Sequence, residues 1–429
     1  MHSHPPRARI LSMAFAMLAA VLCTASVIAK DLPKAKPEEV GLSSARLARI
    51  DEAMRTAIEQ QRIAGAVVIV ARHGRVAYNR AFGKADAEAG RDMRTDDMFR
   101  LYSMTKPVVS VALLTLYEEG KFQLTDPLEK FIPGFKGVKV FVRTDEKGQM
   151  VLEEPRRKPT IQDAFRHTSG LASGLGRGPV NDRYRELGLL MEQITSVRQE
   201  VESIATVPLE YQPGERWLYG LSHDVQAYLV EYFSGMPLDR YLKERMFGPL
   251  GMKDTVYGIP PDRAARFANN YEPGTDGKLK ARETATTGMY THFNNVPLGT
   301  VGLSSTAMDF VRFGQMLLNN GELDGVRILG KKTVELLRQN HLPENLRAIP
   351  SALTPNATGY GLGFSVALSA PAQGNMISPG TFGWSGAATT KFYVDPVEDM
   401  VAVFMAQRWP SDDHMLNEFQ TLLYQSILE

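Results

Sequence analysis

The sequence predicts an α/β protein of the α+β type, in which one antiparallel sheet from both chain ends is flanked by helices. Two observations lead to this fold class. Segments rich in β-forming residues lie near both ends, AGAVVIVARHGRVAYNRAFG at 64–83 and MVAVFMAQR at 400–408, whereas the long middle part has mainly helical patterns. The chain has 429 residues and is 44% hydrophobic, which is enough for a large core, and we expect two lobes.

The first residues have the pattern of an export signal. MHSHPPRAR carries Arg7 and Arg9, an uncharged apolar run follows, and Val27 and Ala29 suit signal-peptidase cleavage. We therefore predict a signal peptide over 1–29 and a periplasmic or secreted bacterial protein, with an uncleaved membrane anchor as the alternative. No later run of residues is long and apolar enough to cross a membrane, so we expect no membrane partner after cleavage.

Composition excludes several classes of function. Cys23, the one cysteine of the chain, lies inside the signal, so the mature chain has no thiol nucleophile and no disulfide. The 49 basic and 48 acidic residues nearly balance, which gives no reason to expect a nucleic acid as partner. The sequence lacks His-Glu-x-x-His and any glycine motif for phosphate. We therefore expect chemistry from side chains alone, without metal or cofactor.

The chain ends supply the predicted sheet lobe, residues 30–99 together with 300–429. Residues 43–60 have a helical stripe, followed by a β-hairpin that turns at His73-Gly74-Arg75. TGYGLGFSVAL, ATTKFYVDP and MVAVFMAQR are three further predicted strands, and an amphipathic helix over 412–428 closes the chain.

The middle of the chain, 100–299, supplies the predicted helical lobe. A helix begins at Ser103 and stops at Gly120, a small hairpin turns at Lys147-Gly148, and Thr160 with Asp163 resembles a capping box. Further helices are predicted near 190–204, 222–234 and 238–246. Residues 258–300 are predicted to be long loops that line a site, which we expect in the cleft between the lobes.

Candidate catalytic residues lie in one short segment, RLYSMTKPVV at 100–109. A spacing of three on a helix brings the side chains of Ser103 and Lys106 within reach of each other. A serine hydroxyl becomes a good nucleophile only when a neighbouring group takes its proton, and a partly desolvated lysine can help. The start of a helix adds backbone N–H groups and a positive dipole end toward developing negative charge. The alternative is a helix start with a solvated lysine.

A serine nucleophile of this kind needs two further groups. One is a third side chain that carries a proton, and the other is a second hydrogen-bond donor for the oxyanion. Tyr219 precedes a predicted helix and can project from the edge of a lobe; alternatively it is a packed aromatic beside Trp217. The strand Gly383-Trp384-Ser385-Gly386-Ala387 is rich in glycine, which lets a backbone approach a ligand closely. The alternative there is a β-bulge without a ligand.

Together these motifs resemble the serine β-lactamase and penicillin-binding-protein superfamily, and most closely its class C β-lactamase-like esterases, often called family VIII. Besides SMTK at 103–106, Tyr219 and the late Trp-Ser-Gly, the resemblance includes HTSGL at 167–171, PLGMKDT at 249–255, GLSSTAMD at 302–309 and YGLGF at 360–364. It implies a β-lactamase/transpeptidase-like fold and an acyl-enzyme mechanism.

The resemblance also implies a role for each matching position. Ser103 is the expected nucleophile, and Tyr219 takes its proton and passes it to the leaving group. Lys106 holds Tyr219 in its reactive ionisation state or shares its proton. The oxyanion hole is expected from the backbone N–H groups of Ser103 and Ala387. The expected pocket residues are Tyr102, Leu221, Trp384, Ser385 and Gly386.

Two positions depart from the β-lactamase pattern. Where that branch has Tyr-x-Asn, this chain has Leu221, and where its third motif begins with lysine, this chain has Trp384. Leu221 cannot hydrogen-bond the amide of a β-lactam or of a D-Ala-D-Ala peptide. Trp384 cannot form an ion pair with the carboxylate of such a substrate. Losing a charge-assisted contact costs roughly 1.5–3 kcal/mol. We therefore predict a carboxylesterase for small or medium acyl esters, with β-lactamase, D-alanyl-D-alanine carboxypeptidase or amide hydrolase as the alternative.

Other segments with serine or histidine are alternative candidates for the catalytic residues. The string around Ser385 nearly matches Gly-x-Ser-x-Gly, but a strand and not a helix is predicted to follow it. Ser222, His223 and Asp224 are adjacent, and neighbours in a chain cannot fold onto one another as a triad. His167 resembles part of a family turn that shapes the cleft floor. A non-catalytic exported binding protein of the same fold remains a hypothesis of another class.

Overall fold

The computed structural model describes residues 1, 31–189, 194–293, 296–351 and 356–429. The predicted signal peptide lies outside these residues apart from Met1, as does the start of the helix predicted near 190–204. Within the described ranges, no helix combines the length and the apolar character that a bilayer crossing requires.

The strands of the described residues are β1 Gly65–Arg72, β2 Arg75–Asp86, β3 Arg91–Asp92, β4 Met98–Arg100, β5 Val140–Thr144, β6 Met150–Glu153, β7 Val256–Tyr257, β8 Asn270–Pro273, β9 Leu279–Glu283, β10 Leu303–Thr306, β11 Glu322–Leu323, β12 Val326–Arg327, β13 Thr358–Tyr360, β14 Ser365–Ala367, β15 Phe382–Gly386, β16 Thr390–Asp395 and β17 Met400–Ala406. The α-helices are α1 Ser44–Glu59, α2 Thr105–Glu118, α3 Ile161–Phe165, α4 Pro179–Glu186, α5 Val197–Ile204, α6 Ser222–Ser234, α7 Leu238–Leu242, α8 Gly248–Leu250, α9 Ala307–Leu318, α10 Lys331–Leu337, α11 Ala370–Gln373 and α12 Asp413–Tyr424. A π-helical turn, Lys243–Phe247, joins α7 to α8.

The main sheet is antiparallel, with the strand order β13-β14-β15-β16-β17-β1-β2-β3. Strand β1 from the start of the chain pairs with β17 from its end, and Val68 lies opposite Phe404. The predicted fold class is therefore confirmed: one antiparallel sheet from both chain ends, flanked by helices.

Both faces of the sheet are buried. Along β1, Val67 and Ile69 belong to the core on one face, and Val68 and Val70 belong to the core on the other. This alternation follows from the two-residue period of a strand. Helix α9 packs on the first face, and α1 and α12 cover the second. The two faces of the sheet therefore carry separate hydrophobic cores.

Several predicted elements agree with the structure. Helix α1 begins after Ser43, whose Oγ accepts a hydrogen bond from the backbone N–H of Arg46. The β1–β2 hairpin turns at His73 and Gly74, both with positive φ. The predicted capping box is present, because Thr160 and Asp163 exchange backbone and side-chain hydrogen bonds at the start of α3.

Three predictions need correction. The helix predicted from Ser103 begins at Thr105, and Ser103 lies in a 3₁₀ turn, Tyr102–Met104, just before it. The strand predicted from TGYGLGFSVAL is two short strands, β13 and β14. Residues 258–300 are not only loops, since they contain the β8–β9 hairpin and two 3₁₀ turns.

A small sheet was not predicted from the sequence. Its strand order is β4-β10-β7, and it lies directly before the 3₁₀ turn that carries Ser103. The backbone N–H of Leu101 donates to Leu303 O at 2.9 Å, which ties the end of β4 to β10. These strands have only two to four residues, too few to show a clear two-residue period.

Candidate active site

Ser103 and Lys106 are in contact. Ser103 is half-buried at the start of α2, whereas Lys106 is 1% exposed in the first turn of that helix. Lys106 Nζ donates hydrogen bonds to Ser103 Oγ at 3.1 Å and to Thr300 O at 3.0 Å. Because a buried ammonium needs partners, these two acceptors fix its position beside the serine hydroxyl. The three-residue spacing therefore produces the contact that it predicts.

Tyr219 lies on the other side of Lys106. The Lys106 ammonium is 4.6 Å from the centre of the Tyr219 ring, within cation–π distance. The Tyr219 hydroxyl accepts a hydrogen bond from Trp384 Nε1 at 3.3 Å, and the two rings are 5.6 Å apart. Tyr219 thus contacts the helix through Lys106 and strand β15 through Trp384.

The HTSGL segment holds the backbone that carries Tyr219. Leu218 N donates to His167 O at 2.8 Å, and Leu221 N donates to Ala172 O at 3.2 Å. Between them, a Cβ on Gly220 would lie 2.5 Å from the carbonyl oxygens of both Leu171 and Ala172. A side chain at position 220 would therefore push the segment away and move the Tyr219 ring.

His167 packs against the ring of Tyr219. It is fully buried, and its ring lies 4.8 Å from the Tyr219 ring and 4.8 Å from the His223 ring. Among the residues that the structure describes, no hydrogen-bond partner meets a ring nitrogen of His167 or His223. Burial, together with the nearby Lys106 charge, lowers the pKa of both histidines well below the ordinary value. Both imidazoles are therefore neutral at physiological pH.

Ser222, His223 and Asp224 do not form a catalytic triad. Ser222 is fully buried, and its Oγ lies 3.2 Å from Ser169 Oγ. His223 bonds to neither neighbour, and Asp224 accepts hydrogen bonds from Thr300. The structure therefore gives no support to this rival.

Asp224 is a residue of the site that the sequence analysis missed. It is fully buried, and its two oxygens accept from the backbone N–H of Thr300, at 2.8 Å, and from Thr300 Oγ1. The same Thr300 offers its carbonyl oxygen to Lys106. Burial raises the pKa of Asp224, against the Thr300 hydrogen bonds and the Lys106 charge, which lower it. In the sequence analysis, Asp224 appeared only as a member of the rejected Ser222-His223-Asp224 triad.

Strand β15 brings Gly386 and Ala387 beside the turn of Ser103. A Cβ on Gly386 would lie 2.3 Å from Leu101 O, so only a glycine allows this approach. Ala387 follows directly in the turn between β15 and β16. The backbone of Gly386 therefore lies close to the turn that carries Ser103, and the oxyanion role of Ala387 stays a prediction.

The register of strand β15 sets the direction of Ser385. Successive side chains of a strand point to opposite faces, so Ser385 points away from the face that carries Trp384. In register it lies opposite Lys391, on the side of the sheet where Tyr393 packs in the second core. Ser385 and Trp384 nevertheless border one cavity, and the pocket role of Ser385 stays a prediction. The nucleophile-elbow rival fails as well, because strand β16 follows.

Two other expected pocket side chains are buried. Leu221 is 0% exposed, and Tyr102 is 4% exposed. The hydroxyl of Tyr102 donates to Glu283 Oε2 at 2.7 Å, so it is committed to a protein partner. Of the expected pocket side chains, Trp384 keeps exposed surface next to Tyr219. Among the described residues, no group of three or more His, Cys, Asp or Glu side chains is arranged for a metal ion.

Known proteins resemble this chain over most of its length. Residues 50–425 match the family described as Beta-lactamase. The esterase EstB of Burkholderia gladioli is 31% identical over 386 residues, 84% of this chain and 90% of EstB. A Salmonella typhimurium protein named "Putative D-alanyl-D-alanine carboxypeptidase" is 28% identical over 427 residues, 92% of this chain and 91% of that protein.

A solved structure agrees with the fold. EstCE1, described as a hydrolase with promiscuous acyltransferase activity, superimposes with a TM-score of 0.75 at 24% identity. The match covers 89% of this chain and 99% of EstCE1. At this identity the likeness supports the fold and not a particular activity.

Proposed function

Because this chain belongs to the Beta-lactamase family, a fold family of serine hydrolases, we propose that it is a carboxylesterase that works through an acyl-enzyme on Ser103. The observation that carries the proposal is the position of Lys106, whose ammonium contacts both the Ser103 hydroxyl and the ring of Tyr219. A nucleophile and a phenol thereby lie around one ammonium group. The substrate is a small-molecule ester.

In this mechanism Tyr219 begins as the phenolate, the reactive form that Lys106 is expected to hold. Ser103 Oγ attacks the ester carbonyl carbon, and the serine proton passes to the Tyr219 oxygen. Lys106 favours negative charge on that oxygen, and Trp384 Nε1 donates to it. The carbonyl oxygen becomes an oxyanion, for which the backbone N–H groups of Ser103 and Ala387 are the donors. Each such donor contributes about 10²–10³-fold to the rate. The intermediate expels the alcohol, which takes the proton from Tyr219. Water then enters by the reverse steps and releases the acid and Ser103.

The preference for esters over β-lactams follows from two side chains. The indole of Trp384 already donates to Tyr219 and carries no charge for a substrate carboxylate. Leu221 is buried and apolar, so it offers no amide group to a substrate. A missing charge-assisted contact costs roughly 1.5–3 kcal/mol, which is a factor of about 10–150 in turnover. An ester needs neither contact for acyl transfer.

The proposed domain organisation is one catalytic unit of two lobes. Residues 30–99 with 300–429 form the sheet lobe, residues 100–299 form the mainly helical lobe, and the active site lies between them. Residues 1–29 are the proposed signal peptide, which would place the mature protein in the periplasm or outside the cell. The N-terminal sequence of the protein recovered from a bacterial host tests this: export with cleavage predicts Lys30 as the first residue.

The decisive experiment is hydrolysis of p-nitrophenyl acetate and p-nitrophenyl butyrate by the wild type, Ser103→Ala and Tyr219→Phe. We expect Ser103→Ala to lose the activity and Tyr219→Phe to lose roughly 10²–10⁴-fold in kcat. Mass spectrometry after a fluorophosphonate probe should find the label on Ser103. Equal turnover by wild type and Ser103→Ala would reject the proposal, and no turnover by the wild type would favour a non-catalytic binding protein.

A second candidate is β-lactamase or D-alanyl-D-alanine carboxypeptidase activity, favoured by the Salmonella relative. Nitrocefin and a D-Ala-D-Ala peptide separate the candidates in the same preparation. Efficient turnover of either by the wild type would overturn the assignment of Leu221 and Trp384 while leaving the Ser103 acyl-enzyme in place.

A further inference from the structure

We propose that Tyr102 and Glu283 are a positioning pair, in which the hydrogen bond between their side chains holds the backbone before Ser103 and so orients the nucleophile. The inference rests on the proposed function of Ser103 and adds two residues to it. Neither residue needs to touch the substrate.

The first observation is the backbone of Tyr102, which has φ 46°. This is the left-handed region, which bulky side chains rarely adopt because their Cβ is crowded there. Tyr102 stands between the end of β4 and Ser103, so its φ angle sets the direction in which the chain enters the 3₁₀ turn. A strained residue at this place persists only when its surroundings hold it.

The second observation is the number of groups that hold Tyr102. Its backbone N–H donates to the Tyr290 hydroxyl at 2.6 Å, and its own hydroxyl donates to Glu283 Oε2 at 2.7 Å. Asn270 Nδ2 donates both to that hydroxyl, at 2.9 Å, and to Glu283 Oε2, at 3.0 Å. The Tyr102 ring also packs against Tyr290 and Trp409. Backbone and side chain are thus fixed from different directions.

Glu283 is itself anchored. Its Oε2 lies 3.7 Å from Arg100 Nε, and the side chains are 7% and 0% exposed. Its Oε1 accepts from Met289 N at 3.3 Å. A Cβ on Gly288, whose φ is 91°, would lie 2.5 Å from Glu283 Cγ. The carboxylate therefore has a fixed position from which it can hold Tyr102.

The partners of Tyr102 come from one part of the chain. Asn270 begins β8, Glu283 ends β9, and Tyr290 lies in the following 3₁₀ turn. This segment belongs to the residues predicted to line the substrate site. The buried contacts give part of this segment another role. The β8–β9 hairpin and the 3₁₀ turn after it hold Tyr102, the residue directly before the nucleophile.

Loss of the hydrogen bond has a predictable consequence. Once released, the Tyr102 backbone can relax toward the ordinary negative φ region, and Ser103 then turns away from Lys106. A displacement of about 1 Å at reacting groups costs up to about 10²-fold in rate. Tyr102 and Glu283 are almost fully buried, so substrate binding is unaffected. The loss should therefore appear in kcat and in acylation, and not in KM.

The test uses the full-length protein and the variants Tyr102→Phe and Glu283→Gln. Tyr102→Phe keeps the ring and leaves Asn270 paired with Glu283, so it is the milder change. We expect fluorophosphonate labelling of Ser103 to slow by about 10–100-fold in both variants. On p-nitrophenyl butyrate, kcat should fall while KM stays unchanged. The double variant should be no slower than the slower single one, since both remove one interaction.

Asp309→Asn is the matched control. Asp309 is a buried carboxylate of the same 6% exposure as Glu283, and it accepts from Thr255 Oγ1 and Asp254 N. The Asp309→Asn substitution should lower the melting temperature of the protein without slowing the fluorophosphonate labelling of Ser103 in the folded state. Labelling of Tyr102→Phe at the wild-type rate overturns the positioning role while the proposed function stands. No label on Ser103 in the wild type removes the premise as well, and so identifies a failure of the proposed function.

Discussion

At the scale of single residues, Lys106 is the group on which the candidate site converges. Its ammonium contacts the Ser103 hydroxyl, the Thr300 carbonyl and the Tyr219 ring. The contact with Ser103 was predictable, because residues three positions apart at the start of a helix lie on the same face. The contact between Tyr219 and Trp384 was not, since 165 positions separate them in the chain.

The first prediction concerns Trp384, whose indole N–H donates to the Tyr219 hydroxyl. Trp384→Phe removes that donor and keeps an aromatic ring. One net hydrogen bond contributes about 0.5–1.5 kcal/mol, so we expect kcat for p-nitrophenyl butyrate to fall by roughly 2–13-fold. Trp217→Phe is the matched comparison, because the buried Trp217 Nε1 has no hydrogen-bond partner in the part of the chain that the structure describes. An equal loss in both variants would mean that the N–H of Trp384 has no role.

The second prediction concerns Asp224 and pH. Burial raises the pKa of Asp224, so it takes up a proton above the ordinary aspartate value of about 4. Protonation removes the negative charge behind Thr300 that faces Lys106, and we expect kcat/KM to fall as the pH drops below neutrality. The native state then binds the extra proton, so this group favours folding as the pH falls. Activity and stability should thus change in opposite directions.

Asp224→Asn checks this assignment through the pH–rate profile. The variant should be less active at neutral pH, and the acid limb that Asp224 causes should disappear. An unchanged acid limb in Asp224→Asn would assign the titration to another group.

At the scale of elements, the HTSGL segment connects helix α3 to the backbone of Tyr219. Asp163 accepts hydrogen bonds from the side chains of Arg157, Arg166 and Thr168. Burial alone would raise the pKa of Asp163, but the Arg157 hydrogen bond and both arginine charges outweigh it and lower the pKa to about 2. The capping box was visible in the sequence, whereas this ionic network was not, because Arg157 has many possible partners.

The third prediction follows from the lowered pKa of Asp163. The difference from the ordinary value of 3.8 corresponds to about 2 kcal/mol of stability. That contribution is complete above the ordinary value and is lost as the pH falls toward about 2. Asp163→Asn should therefore lower the free energy of unfolding at neutral pH. Urea unfolding should show the gap to the wild type narrowing between about pH 5 and about pH 3; a constant gap would contradict the assignment.

At the scale of the whole molecule, the two chain ends share one sheet. Strand β1 lies between β17 and β2, and α12 packs with α1 on the face opposite the candidate site. Unfolding of either end therefore removes a neighbour from the other. We expect a single cooperative transition in which catalytic activity and secondary structure are lost together.

The fourth prediction tests this coupling with Phe419 in α12, which is fully buried against Phe404. Phe419→Ala should lower the free energy of unfolding by about 3–5 kcal/mol, while kcat of the folded protein stays unchanged. Denaturant curves followed by circular dichroism and by esterase activity should coincide. Val397→Ala, at an exposed turn, is the control that should change neither. Separate curves would show that the lobes unfold independently.

The sequence by itself determined what depends on short spacings: the strand and helix periods, the hairpin at Gly74, the capping box and the Ser103–Lys106 contact. The tertiary structure alone decided that Trp384 contacts Tyr219, that Leu221 is buried and that Asp224 bonds to the Thr300 that holds Lys106. The physical reason is the distance along the chain over which each kind of interaction acts. A local pattern sets the direction of a side chain relative to its own element, whereas register, docking of elements and loop path set what that side chain meets. Tyr102 shows both, since its place before Ser103 is visible in the chain and its strained backbone depends on Glu283.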